Sequence, residues 1–224
     1  YAVASASELV ARPAGLDFES TSALGVSAQT ALQAIKDHLG VESGQKVLVT
    51  GASGGVGSFA VQVAKALGAE VTAVCSARNA ELVRSIGADH VIDYTSEDFT
   101  RGEERYDRIL DNIGAHSMSD TRKALAPDGL LLSNGAPVGG WFGGLGNPLR
   151  GMMLSIVSQQ QARRFISTYS QTDGHALKEL VEEGKLKPLI DRVFPLDDGS
   201  AAVAHVASRH TQGKTIITMD HSAD

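Results

Sequence analysis

Apolar positions fall into two alternating rhythms along this chain. Compact apolar runs, "KVLVTGA" (46–52), "EVTAVCSA" (70–77), "HVIDY" (90–94), "YDRILDNIG" (106–114) and "GLLLSNGA" (129–136), read as buried strands. Between them the apolar residues recur at helical spacing. Val56, Phe59, Ala60, Val63, Ala64 and Leu67 make one stripe of a helix over 56–67 that Gly68 closes. A second helix starts from Asn79 as its cap and carries Leu82, Val83 and Ile86; a third, over 117–125, ends at the Pro127-Asp128-Gly129 turn. Strands separated by helices in this order predict an α/β fold: a doubly wound parallel Rossmann sheet with helices on both faces.

The flanks are less regular. Residues 1–12 predict a short strand and a turn before Pro13, and residues 16–40 a helix with Ala31, Leu32, Ile35 and Leu39 on one face and Gly40 as its stop. The glycine-rich stretch 137–148, with Trp141 and Phe142, is a loop; it suits a cover over a site and equally a surface loop packed on its aromatics. A helix over 148–158 follows, whose Met152, Met153, Leu154, Ile156 and Val157 are too apolar to face water. Core, subunit interface and substrate wall are all open to them. A sixth strand (162–169), a helix (174–184), "KPLIDRVFPL" (187–196), a helix (198–209) and a last strand "KTIITM" (214–219) complete the pattern.

Charge and composition narrow the function classes. A net charge of −6 argues against general nucleic-acid or membrane-surface binding, so any phosphate must be gripped locally. The one cysteine, Cys75, reads as a small buried strand residue and fits a reducing, cytoplasmic compartment. Neither an 18-residue apolar run nor a leader pattern is present. The opening "YAVASASELVARP", without Met, reads as a start inside a protein.

One stretch carries the chemistry: "VLVTGASGGVG" (47–57). As Gly51-x-Ser53-x-Gly55 it could be a hydrolase's nucleophile turn. Asp191 or Asp197 with His205 or His210 would complete the Ser, Asp, His order, although a helix over 198–209 would more naturally turn His205 to solvent. As Thr50-Gly51-x-x-x-Gly55-x-Gly57 it matches a short-chain dehydrogenase turn, but that chemistry needs Tyr-x-x-x-Lys. The residues four beyond Tyr1, Tyr94, Tyr106 and Tyr169 are Ser5, Asp98, Leu110 and Asp173. As Ala52-x-Gly54-x-x-Gly57, after a strand and opening a helix, it is a dinucleotide-binding turn whose backbone amides face a pyrophosphate. The context favours this third parse.

An NAD-binding turn has an acid about 20 residues on, for the adenosine ribose. Here the second strand ends "CSARN", with Ser76 and Arg78 and no carboxylate. A carboxylate repels a 2′-phosphate, whereas Arg pairs with it and Ser donates to it, so NADP(H) is expected over NAD(H).

The runs "GASGGVGSFAVQVAKALGAEVTAVCSARNAELVRSIGADHVIDY", "ILDNIG" and "RHTQGKTIITM" resemble, in order, the medium-chain dehydrogenase/reductase superfamily, in its zinc-independent quinone oxidoreductase branch. The resemblance covers essentially the whole chain. It implies NADPH-dependent reduction of a quinone or activated alkene, often by a homodimer, with a cofactor domain inserted into a GroES-like catalytic domain. It implies that Ala52, Ser53, Gly54, Gly55, Val56 and Gly57 hold the pyrophosphate and that Ser76, Arg78 and Tyr94 surround the 2′-phosphate. Thr30, Asn112, Gly114, Gly135, Ala136 and Pro137 would line the nicotinamide half, with Lys214 returning toward the cofactor. Residues 16–186 would form the NADP-binding domain, and 1–15 and 187–224 parts of the catalytic domain, most of which relatives build from a further segment ahead of Tyr1. Where zinc-dependent members carry a Cys ligand this chain has "SALGVSAQ", with Leu24 near that point, so no zinc site is expected. No dedicated acid–base residue stands out. The rival reading is an NADP-binding module with little turnover.

Overall fold

The computed structural model describes residues 3–134, 161–208 and 211–219. Among these residues six parallel strands form one sheet: β1 (Lys46–Thr50), β2 (Glu70–Cys75), β3 (His90–Asp93), β4 (Tyr106–Asp111), β5 (Leu125–Ser133) and β6 (Gln161–Arg164). Their order is β3-β2-β1-β4-β5-β6. The chain therefore winds outward from β1 to β3, then returns to the other side of β1 to start β4. That reversal leaves a crevice beyond the carboxyl ends of β1 and β4, where doubly wound sheets bind ligands.

Alternate strand residues enter two cores. Val47, Val49, Val71, Ala73, Cys75, Leu110 and Leu132 pack on the face covered by helices α1 (Phe18–Leu32) and α2 (Gly55–Ala66). Leu48, Val74, Ile109 and Leu131 pack on the other, with Phe99, Tyr106 and Ala124. Phe59 from the expected α2 stripe is fully buried, as are Ala60 and Ala64. Asp17 caps α1 by accepting from the Ser20 amide at 2.7 Å; the helix continues as a π-helical turn, Gln33–His38, and ends at Gly40 with φ +56°. Two short helices, α3 (Ala80–Ser85) and α4 (Met118–Thr121), follow β2 and β4. Beyond β6 come α5 (Gln171–Glu182), β7 (Ile190–Pro195), α6 (Gly199–Ala207) and β8 (Lys214–Thr218). Strands β7 and β8 pair in parallel as a separate two-stranded sheet.

Several expectations change. No strand forms in the described part of 1–12; a 3-10 turn, Ala6–Glu8, sits in extended chain. Its carbonyls are taken by side chains instead, Tyr169 Oη donating to Glu8 O and Gln171 Nε2 to Leu9 O. β5 begins at Leu125, before the Pro127 turn, with a register shift against β4 between Tyr106 and Arg108. β6 stops at Arg164, short of the expected 169, and the backbone further on bonds to α1's continuation instead: Gln33 Nε2 donates to Thr168 O. The loop 137–148 with Trp141 and Phe142, the helix 148–158, and the site residues Gly135, Ala136 and Pro137 lie outside the described residues.

Candidate functional site at the carboxyl ends of the strands

The crevice is built from three turns, each at the end of a strand. After β1, Gly51 turns the chain at φ +62°, and the Gly54 amide donates back to Gly51 O at 3.0 Å. Ala52 is fully buried and its amide donates to Val74 O, tying the turn to β2. Gly54 then caps α2 without a side chain, so the helix's first amides, those of Gly55, Val56 and Gly57, have no intrahelical acceptor and no side-chain cap. A Cβ on Gly54 would have only Gly51 O within 4 Å, at 3.3 Å, so the turn is open on that side. A Cβ on Gly57 would lie 2.1 Å from Gly51 O and 2.8 Å from Ala52 Cα; the helix starts against the turn itself. The Gly55 amide faces Gly213 O across the bridge described below, while the aligned amides of Val56 and Gly57, without a hydrogen-bond partner among the described residues, fit an anionic group.

At the end of β2, Ser76 is half-buried and Arg78 exposed. Tyr94, just past β3, is exposed too, its amide donating to Cys75 O at 3.2 Å. These three expected residues therefore share one edge of the crevice. Sequence reading passed over Asp93, which registers beside Cys75. Its carboxylate accepts from the Thr95 amide (3.0 Å) and the Thr95 hydroxyl (2.8 Å), and these bonds hold it below the usual carboxylate range, helped by the Ala77 amide. An acid is thus close by, but turned to the backbone of its own turn.

At the end of β4, Asp111 is buried and accepts from Thr50 Oγ1 (2.7 Å) and from the amides of Ile113 (3.2 Å) and Gly114 (3.0 Å). Asn112 donates through Nδ2 to Thr50 O at 3.0 Å and accepts from Asn134 at 3.2 Å. Gly114 takes φ +70°. Asn112 and Gly114 are thereby clamped to the end of β1, beside the glycine turn.

The segment before β8 closes the turn from the other side. Gly213's amide donates to Ser53 O at 2.8 Å, and Gly54 and Gly213 form an isolated parallel bridge. Lys214 Nζ donates to Ser27 Oγ at 2.9 Å, and its Cδ would lie 3.1 Å from a Cβ on Gly55. Lys214 forms no ion pair among the described residues, and burial lowers its pKa from the ordinary lysine value. Thr30, expected near the nicotinamide, is buried with its hydroxyl donating to Val26 O of its own helix.

Two further expectations are corrected. Asn79 makes no side-chain cap on α3; its Nδ2 donates to Ser53 Oγ at 2.8 Å, and its Oδ1 accepts from Gln212 Nε2 at 2.6 Å. His205 does not face solvent: it bonds Asp191 and lies against Phe194. That is the Asp–His pair of the hydrolase parse. Ser53's partner, however, is Asn79, and among the described residues no histidine bonds to it. Ser27, Asn79 and Gln212 are the site residues that sequence reading missed, because nothing local marks them. A cavity of about 430 Å³ lies elsewhere, between Val10, Pro13, Leu24, Gln29, Thr168 and Tyr169, and touches none of the expected cofactor residues. Among the described residues no helix is long and apolar enough to cross a membrane, and no three His, Cys, Asp or Glu side chains cluster.

Comparison with known proteins gives a consistent picture. The model of a zinc-binding dehydrogenase family matches residues 86–217. A mitochondrial NAD(P)H oxidoreductase of Homo sapiens is 34% identical over 98% of this chain and 60% of its own length. A chloroplast envelope quinone oxidoreductase homologue of Arabidopsis thaliana is 32% identical over 97% of this chain and 67% of its own. The quinone oxidoreductase structure from Coxiella burnetii superimposes with a TM-score of 0.81 at 26% identity, covering 94% of this chain and 64% of that one. The chain thus spans about 60% of the length of the human relative.

Proposed function

Because the chain belongs to the medium-chain dehydrogenase/reductase superfamily, in its quinone-oxidoreductase-like branch, we propose that it binds NADPH across the crevice and serves hydride transfer to a quinone or activated alkene. The observation that carries this reading is the uncapped start of α2, open at Gly54 and facing a half-buried Lys214 that has no carboxylate partner among the described residues. A pyrophosphate satisfies both sides at once: the amides of Val56 and Gly57 donate to it and Lys214 supplies a positive charge. Ser76, Arg78 and Tyr94 take the 2′-phosphate, and Asn112 and Gly114 extend the wall toward the nicotinamide. The bound nicotinamide supplies the hydride. Such electron-poor acceptors leave the protein mainly with positioning and charge stabilisation.

In the same reading residues 16–186 are the NADP-binding domain, and 1–15 and 187–224 belong to the catalytic domain. The reaction is zinc-independent: the chain's one cysteine, Cys75, is buried in β2 and burial pushes its thiol up. The functional unit is a cytoplasmic homodimer. Oxidation of NADPH by a quinone or an enone is the expected activity, and binding without consumption would mark a cofactor-binding module instead.

Arg78→Ala tests the cofactor choice. Losing a charged hydrogen-bond partner of the 2′-phosphate is expected to cut the preference for NADPH over NADH by about tenfold or more, read as the ratio of dissociation constants. An unchanged ratio would remove Arg78 from the site.

Lys214 adds a pH signature. Burial disfavours its charged form, whereas a neighbouring phosphate favours it. Cofactor binding is therefore expected to take up protons where the free lysine is partly neutral, and affinity is expected to fall as pH rises through its lowered pKa. Titration calorimetry in two buffers of different ionisation heat reads this uptake directly, and Lys214→Met should abolish it.

A further inference from the structure

Two of the side chains that sequence reading missed, Asn79 and Gln212, close a ring of hydrogen bonds with Ser53. Gln212 Nε2 donates to Asn79 Oδ1 at 2.6 Å; Asn79 Nδ2 donates to Ser53 Oγ at 2.8 Å; Gly213, next to Gln212, donates its amide to Ser53 O at 2.8 Å. Asn79 and Ser53 are both buried. The ring joins three separate pieces of chain: the glycine turn, the turn carrying Ser76 and Arg78, and the segment leading into β8. It also has a direction. A terminal amide has one donating and one accepting end, so Gln212's donation to Asn79 Oδ1 obliges Asn79 to present its NH₂ to Ser53. Ser53 Oγ is then an acceptor on its inner side, and its own hydrogen is left to donate outward. Asn79 ends the short turn that carries Ser76 and Arg78, so its bond to Ser53 Oγ draws that hydroxyl against this turn.

We propose that Gln212 and Asn79 are positioning residues that orient the Ser53 hydroxyl as a donor to the cofactor's 2′-phosphate rather than to the pyrophosphate that NADH and NADPH share, so that NADPH affinity depends on Gln212, which does not touch the cofactor. This rests on the NADPH reading above. Gln212→Glu replaces the donor with an acceptor. Asn79 then turns its NH₂ toward Glu and its oxygen toward Ser53, which spends its hydrogen inward. A ring serving only to fasten the segments would not transmit this reversal.

The test titrates NADPH and NADH by nicotinamide fluorescence against wild type, Ser53→Ala, Gln212→Glu and the double variant, with the melting temperature of each ligand-free protein recorded. Gln212→Glu is expected to weaken NADPH binding about tenfold, as Ser53→Ala does, the scale of a hydrogen bond to a charged group. NADH should change by less than about threefold, and the double variant should bind NADPH no more weakly than Ser53→Ala alone. That non-additivity separates reversal of the ring from the added charge, whose effect persists without the hydroxyl. Asn79→Asp forces the same inward turn of the Ser53 hydrogen and carries the comparison where Gln212→Glu melts too low. The proposal is overturned if either folded variant keeps NADPH affinity within about twofold of wild type, or if its loss adds fully to that of Ser53→Ala. Wild-type protein that fails to bind NADPH would overturn the cofactor reading itself; wild-type binding without the coupling overturns the ring alone.

Discussion

Gly57→Ala is expected to lower stability by about 3 kcal/mol or more and to abolish NADPH binding. The new methyl would sit 2.1 Å from Gly51 O and 2.8 Å from Ala52 Cα, both backbone atoms that cannot rotate away. Relief requires the first turn of α2 to back off from the end of β1. The amides of Val56 and Gly57 would move with it, away from the pyrophosphate position, and the packing of Phe59 and Ala60 against β1 would loosen. Gly44→Ala is the control: it carries φ +83° but a Cβ there meets nothing within 4 Å. Only the left-handed backbone penalty applies, about 1–2 kcal/mol. Urea unfolding of both variants, with fluorescence titration of NADPH, distinguishes a close approach from ordinary turn strain. Equal losses in the two would contradict the close packing of α2 on the turn.

Gly213→Ala should be comparably severe but differently distributed. Gly213 holds φ +85°, and a Cβ would stand 2.3 Å from Leu189 O. Backbone strain and overlap together are expected to cost about 3 kcal/mol. Escape breaks the bond from Gly213 to Ser53 O and that from the Lys214 amide to Leu189 O. The six-stranded sheet makes its own ladder, so the damage should centre on β7, α6 and β8. Amide hydrogen exchange is the measurement: protection should fall at 190–195 and 214–218 while β1 and β2 keep theirs. NADPH affinity should drop with it, since Lys214 leaves α2. A uniform loss of protection would mean that the two sheets unfold as one.

Legibility from sequence followed the range of the interaction. The stripe of α2, the apolar runs of β1, β2 and β4, and the stops at Gly40 and Gly68 are local and were readable, as residues a turn or a strand apart decide them. Residues 1–12 misled because alternation is necessary for a strand but a neighbouring strand is also required, and the carbonyls of Glu8 and Leu9 found Tyr169 and Gln171 instead. Asn79 misled in the same way. Its position invites a helix cap, and tertiary partners outcompeted that role.

By itself the sequence determined the α/β winding, the glycine turn and the missing acid after β2, because each is written within one strand–turn–helix unit. Only the tertiary structure decided that Lys214 and Ser27, 187 residues apart, meet beside Gly55, and that Gln212 reaches Ser53 through Asn79. These are contacts between side chains that share no local pattern. They exist because the crossing of the chain at β1 and the docking of β8 bring distant backbone to one crevice, and burial there leaves each polar group to find whatever partner the packing supplies.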